Sequence, residues 1–321
     1  MKAEFNYYLP VYRNLEEEFI NLSKDVQIDD DQLDVYSMHI ADLLVRCAIE
    51  IEAISKELYW ETGGVKVFNK NGDERNLYFD TDCISHLDRL WGICEKEIFI
   101  SSEKIYLKKE ENSCIRPLKK GNVRSGAEWN IAYQAVKHSR KENIKQGNIR
   151  NLISALGALY ILNLYYLDSV IDLGITCSPA DLFDSRRGSL LFSAATVDAV
   201  KDVKMGADPS DDIISNELKE KCKSAIFIIR YKKESWDSLN AAIREDKEEY
   251  MSAMKEGGKL EKYIQEHVDE FEDMNSKHIL SLAHKVLGED YIRRNHLGMN
   301  FGREFNRARK EAILNKNEPI Y

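Results

Sequence analysis

Proline and glycine are scarce, 5 and 16 among 321 residues, which argues against collagenous, linker-like or turn-dense all-β architectures. Cys47, Cys83, Cys94, Cys114, Cys177 and Cys222 are scattered, with no Cys-x-x-Cys and no histidine at ligand spacing. Neither a zinc knuckle nor a disulfide framework is therefore expected, and reduced thiols suit a cytoplasmic protein. The longest uncharged run, between Arg150 and Asp168, falls short of the roughly 20 residues a membrane helix needs. It also contains Asn163, so it reads as a buried core helix and no membrane contact is expected. No basic segment followed by an apolar one opens the chain, and no secretory leader is expected. Gly-rich phosphate loops, His-Glu-x-x-His, Gly-x-Ser-x-Gly and repeats of 20 to 50 residues are all missing, which removes most familiar enzyme classes and solenoids. Lys and Arg number 46 against 55 Asp and Glu, a formal charge of −9. That balance excludes a wholesale electrostatic nucleic-acid binder and leaves room for a local basic face.

What is present is 43% hydrophobic and 31% charged residues, enough for one large or two modest globular domains. Residues 34–59 carry Ile40, Leu43, Leu44, Cys47, Ile51, Ile54 and Leu58 at three- and four-residue steps, one stripe of a long amphipathic helix. Val45 and Ile49 suggest a second apolar strip, with Arg46 and Glu50 on the polar seam between the two. Short β-rich pieces follow: 65–68 and 77–79 around Asn71-Gly72 as a hairpin, then 98–100 with 105–107, separated by a helical turn near 85–91. Helical spacing resumes over 128–145, with Trp129, Ala132, Tyr133 and Val136 on one face. Asn130, Gln134, His138, Lys141 and Lys145 lie on the other. The core helix at 148–168 follows, and an acidic, turn-prone stretch places a boundary at about 195–212. Beyond it, 216–231, 235–255, 259–274 and 276–287 read as helices, and Arg293, Arg294, Arg303, Arg307, Arg309 and Lys310 make the tail locally basic. The expected fold is mainly α. A helical bundle over 1–195, with a small β-hairpin insertion at about 65–110, precedes a second helical domain over 213–321.

Three pieces of sequence carry a resemblance: Trp129-x-x-x-Tyr133-x-x-x-Lys137-His138-x-Arg140; Asn148-x-x-Asn151-x-x-x-Ala155-Leu156-x-Ala158-Leu159; and Tyr36-Ser37 opening a helix with Glu50 and Glu52. Together they resemble the HEPN superfamily over about residues 10–170. The resemblance implies a bundle of four or more helices that dimerises, and a metal-independent endoribonuclease of toxin, CRISPR or antiphage systems. It implies no cofactor, RNA as substrate, a homodimer, and a partner protein encoded nearby. The family's signature is an Arg followed four to six residues later by His, with a polar residue after the Arg. Placing His138 at that His puts Tyr133 at the Arg position and Gln134 at the polar one.

Cleavage by a ribose 2′-hydroxyl needs a proton-transfer group and a fixed cation for the phosphorane charge. His138 is the candidate proton-transfer group, imidazole being the side chain type suited to that role near neutral pH, and Arg140, with Lys137, Arg46 and Lys141, supplies cations for phosphate. Tyr133, Gln134 and Glu50 stand in support. Set against this, His138 reads equally as one member of a solvated helix face, and Arg46 with Glu50 as an ion pair orienting helix layers. Tyr160, Tyr165 and Tyr166 read as packing rather than as a base-stacking platform. A non-catalytic interaction module or a nucleotide-sensing module is the alternative function.

Overall fold

The computed structural model describes residues 6–120, 126–205, 214–254, 259–266, 285–286 and 299–320. Helix predominates, accompanied by small sheets. Helix α1 (Tyr8–Leu22) buries Tyr12, Leu15 and Phe19. Helix α2 (Met38–Glu61) begins where the Ser37 side chain accepts a hydrogen bond from the Ile40 N–H, satisfying one orphan donor of the first turn. The stripe Ile40, Leu43, Leu44, Cys47, Ile51, Ile54 and Leu58 is buried throughout. The second strip is not: Ile49 is 52% exposed, so α2 is not covered on both sides.

Helix α3 (Ile84–Trp91) and the single turn α4 (Glu110–Ser113) lead to α5 (Glu128–His138), which stops at Ser139. A separate turn, α6 (Arg140–Asn143), follows, so the expected helix over 128–145 is broken. Lys141 and Lys145 therefore do not continue the α5 face. Asn130, expected on the polar face, is 5% exposed. Helix α7 (Ile149–Leu167) is capped by the Asn148 side chain and buried almost all round. It packs along α2, while α1 and α5 each touch both. Gly147 permits this: a Cβ there would stand 2.5 Å from the Ala41 Cβ, too close for any side chain.

The strands correct several expected pairings. Strand β1 (Ile28–Asp29) pairs in parallel with β5 (Ile105–Tyr106). The hairpin joins β2 (Val67–Phe68) to β3 (Glu74–Arg75), around the Asn71-Gly72 turn, and 77–79 takes no part in it. Strand β4 (Ile98–Ile100) pairs with β6 (Cys114–Ile115) and β8 (Phe192–Ala194), not with 105–107. Behind β8 the buried Glu16 carboxylate on α1 accepts hydrogen bonds from Tyr12, Ser189 and the N–H groups of Leu190 and Leu191. Tyr12 belongs to α1 itself, and the three donors from Ser189, Leu190 and Leu191 tie that helix to the chain entering β8.

The largest sheet runs β7-β11-β10-β9, from β7 (Ile171–Gly174), β9 (Thr196–Asp198), β10 (Phe227–Tyr231) and β11 (Lys310–Leu314). The single turn α8 (Pro179–Leu182) lies between β7 and β8. Helix α9 (Asn216–Ser224) crosses from β9 to the parallel β10. The expected helix over 216–231 is thus a helix followed by a strand. The reason is the run Ala225-Ile226-Phe227-Ile228-Ile229, apolar without interruption because it is covered on both faces. Phe227, Ile229, Ala312 and Leu314 join the core of α2 and α7. Ile228, Tyr231 and Ile313 join a second core with Leu218, Trp236 and Leu239.

Helix α10 (Lys233–Met254) and α11 (Lys259–Glu266) match expected helices, though the remainder of 259–274 and nearly all of 276–287 lie outside the described residues. The short α12 (Met299–Phe305) precedes β11. Segment 213–321 is therefore not wholly helical, and the sheet draws strands from both sides of 195–212. Arg309 pairs with Asp172 of β7 and Lys310 is buried, so part of the basic tail is built into the sheet; Arg293 and Arg294 lie outside the described residues. No helix among the described residues is long and apolar enough to cross a membrane.

Candidate functional site

The C-terminal end of α5 places Lys137 and His138 in the last helical turn, where the helix macrodipole favours cations. Both side chains are exposed. The Lys137 ammonium lies 5.3 Å from the ring centre of Tyr133, one turn earlier, a cation–π contact that leaves the charge facing water. Lys141, on the turn α6, is exposed as well. Among the described residues none of Lys137, His138 or Lys141 has a carboxylate partner.

Arg140 lies two residues beyond His138, within about 7 Å along the backbone, and its guanidinium is 2.7 Å from Asp42 on α2. Arg46, one turn after Asp42 and on the same face of α2, pairs at 2.7 Å with Glu18 on α1. The hydrogen bond from Arg46 holds the Glu18 carboxyl below the usual carboxylate range. Arg140, Asp42, Arg46 and Glu18 therefore form a chain of partly exposed charges across α6, α2 and α1, with His138 two residues before its first member. Arg46 is bridged to Glu18 and not to Glu50, which is half-buried one turn further along α2. The expected role of Arg46 in joining helix layers holds, with a different partner.

Tyr133 is 3% exposed and belongs to the core beside Trp129 and Leu152. Its ring nonetheless meets the Lys137 ammonium one turn on, while Gln134 is half-buried. Lys137, His138, Arg140 and Lys141 thus stand together at the end of α5 and the turn after it, Asp42 ties Arg140 to the stretch of α2 that carries Arg46, and Tyr133 meets the group through Lys137 alone. Tyr160 and Tyr165 are buried and donate to the carbonyls of Arg186 and Asn315. The hydroxyl of Tyr166 donates to Glu57, so these tyrosines pack rather than stack bases.

Sequence inspection did not find Asp42 or Glu18, the carboxylates that neutralise the two arginines. Asp42 stands four residues before Arg46, a detectable spacing, but its actual partner is 98 residues away. Among the described residues no cluster of His, Cys, Asp and Glu suited to a metal ion occurs. No protein-family model, curated protein or solved structure matches the chain.

Proposed function

We propose that the chain is a HEPN-like, RNA-directed effector of the toxin or phage-defence kind, acting through the exposed end of α5 and the turn after it. The observation that carries this reading is the group Lys137, His138 and Lys141, exposed and without carboxylate partners among the described residues, with Arg140 between His138 and Lys141 in the chain and Arg46 one turn of α2 beyond Arg140's partner Asp42. Exposed ion pairs contribute only about 0–1 kcal/mol, so an RNA phosphate displaces Asp42 from Arg140 at little cost. The packing of α1 and α5 on the α2–α7 pair supports a four-helix bundle into which the β2–β3 hairpin is inserted.

In the catalytic form, the ribose 2′-hydroxyl attacks the adjacent phosphorus as the bond to the 5′-oxygen breaks. His138 takes or delivers the proton, and Arg140 holds the phosphorane charge. A second reading, a module that retains RNA without cleaving it, is favoured by the burial of Tyr133 at the position of the family Arg.

Labelled RNA incubated with the protein in a chelator separates the two. Retention is expected to weaken as salt rises, and changing Lys137 and Lys141 together to Glu should reduce it at least tenfold. Cleavage by wild type that is lost in His138→Ala supports the catalytic form. Equal cleavage by both removes His138 from the chemistry, and retention without cleavage selects the second reading. Neither retention nor cleavage sinks the RNA reading altogether.

A further inference from the structure

The chain entering α2 and the chain entering α7 are far apart in the sequence and run side by side in the fold. The Ile149 N–H donates to the Val35 carbonyl at 3.0 Å and the Arg150 N–H to the Leu33 carbonyl at 2.9 Å. Tyr36 then forms an antiparallel bridge with Asn148. Residues opposed in such a bridge stand about 4.5–5.5 Å apart between Cα atoms. The Asn148 side chain caps α7 and donates to the Lys145 carbonyl at 3.2 Å, while Ser37 caps α2. The backbone beneath Tyr36 is thus held by the starts of two helices.

Its side chain is left uncovered. Tyr36 is 44% exposed, and among the described residues its ring has no aromatic or cationic contact and its hydroxyl no hydrogen-bond partner. Lys145, three residues before Asn148, is exposed, and so is Lys141 four residues earlier. Over residues 137–148 the cations Lys137, Arg140, Lys141 and Lys145 stand against Glu142 alone. Asp42 offsets Arg140, and Asp34, two residues before Tyr36, faces Arg150 at 3.6 Å. The balance beside the ring stays positive after both carboxylates are counted.

Resting on the RNA reading above, we infer that Tyr36 stacks on a base and that the substrate of this site is single-stranded RNA. Lys141 and Lys145 hold the backbone, and the ring takes the face of one base. Phosphate contacts serve a single strand and a duplex alike, whereas a base inside a duplex already has both faces covered by its neighbours. The aromatic ring therefore supplies the discrimination that lysines cannot.

The test uses a dodecamer of 2′-O-methyl RNA, which lacks the attacking hydroxyl, carrying 2-aminopurine near its middle, alone and annealed to its complement. The full chain should bind the single strand about tenfold more tightly than the duplex, and Tyr36→Ala should remove that preference by weakening the single strand alone. Tyr36→Phe, which keeps the ring, should bind as wild type does. Binding of the single strand should quench the 2-aminopurine in wild type and Tyr36→Phe but not in Tyr36→Ala. Changing Lys137 and Lys141 together to Glu should weaken both probes alike. Trp60→Ala, an exposed aromatic about 33 Å along α2 from Met38, should change neither. If Tyr36→Ala does not fold, the quenching and the strand preference of wild type decide. RNA bound with equal strength in both forms, bound without quenching, or bound undiminished by Tyr36→Ala would overturn the role of Tyr36 and leave the RNA reading standing. Binding of neither probe would overturn both.

Discussion

Lys96 is 1% exposed, and its amine donates one hydrogen bond, to the Lys223 carbonyl at 3.2 Å. That carbonyl lies in the last turn of α9, so the amine caps a helix end. Burial nonetheless pushes its pKa down to about 8. Between that value and the ordinary 10.5 the unfolded chain holds a proton that the folded chain has released, so this group makes stability rise with pH across the window. Below about 8 both states are protonated and the full cost of the buried charge is present, on the order of 3 kcal/mol. Lys96→Met should therefore stabilise the protein at pH 7.5 relative to pH 10, when each is compared with wild type by urea unfolding. Taking the difference between the two proteins matters, because Cys83 and Cys94, pushed up by burial to about 12, titrate with the opposite effect. A difference that stays flat from pH 7.5 to 10 would show that the amine is better compensated than its single carbonyl partner implies.

At the scale of elements, α7 is the centre of the first core, and Leu156 within it is fully buried. Leu156→Asp places an unpaired carboxylate there at a cost of several kcal/mol, comparable with the stability of a whole domain. Loss of the cooperative thermal transition in circular dichroism is expected, and an unchanged melting temperature would place the helix outside the core. Both α2 and α7 were legible because their caps, Ser37 and Asn148, and their apolar content lie in contiguous sequence. Strand β10 was not, because an uninterrupted apolar run beside the periodic α9 has no alternation to separate strand from buried helix. The hairpin turn was legible from Asn71-Gly72, but its register was not: β3 is Glu74–Arg75, which has no apolar side chain to mark it. The candidate site divides in the same way. Lys137, His138 and Arg140 stand together in the sequence, whereas the neutralising Asp42 and the burial of Tyr133 depend on how α5 packs against α2.

Across the whole molecule, the sheet joins what composition divides. A fragment of residues 214–321 retains β10 and β11 but leaves Phe227, Ile229, Ala312 and Leu314 without the core that covers them. Produced alone, it is expected to bind an apolar dye strongly or precipitate, and to become soluble when co-expressed with residues 1–205. A soluble fragment that leaves the dye dark would establish 214–321 as an independent unit. The order β7-β11-β10-β9 also has a consequence for synthesis. Strand β11 occupies the slot between β7 and β10, yet about 80 residues separate it from the end of β10. At roughly 5–20 residues per second the ribosome needs about 4 to 16 seconds to supply it. Throughout that interval Phe227 to Ile229 present an unpaired edge with apolar side chains on both faces, the kind of segment that pairs with other chains. A nascent chain stalled between Tyr231 and Lys310 is thus the form of this protein most in need of a chaperone.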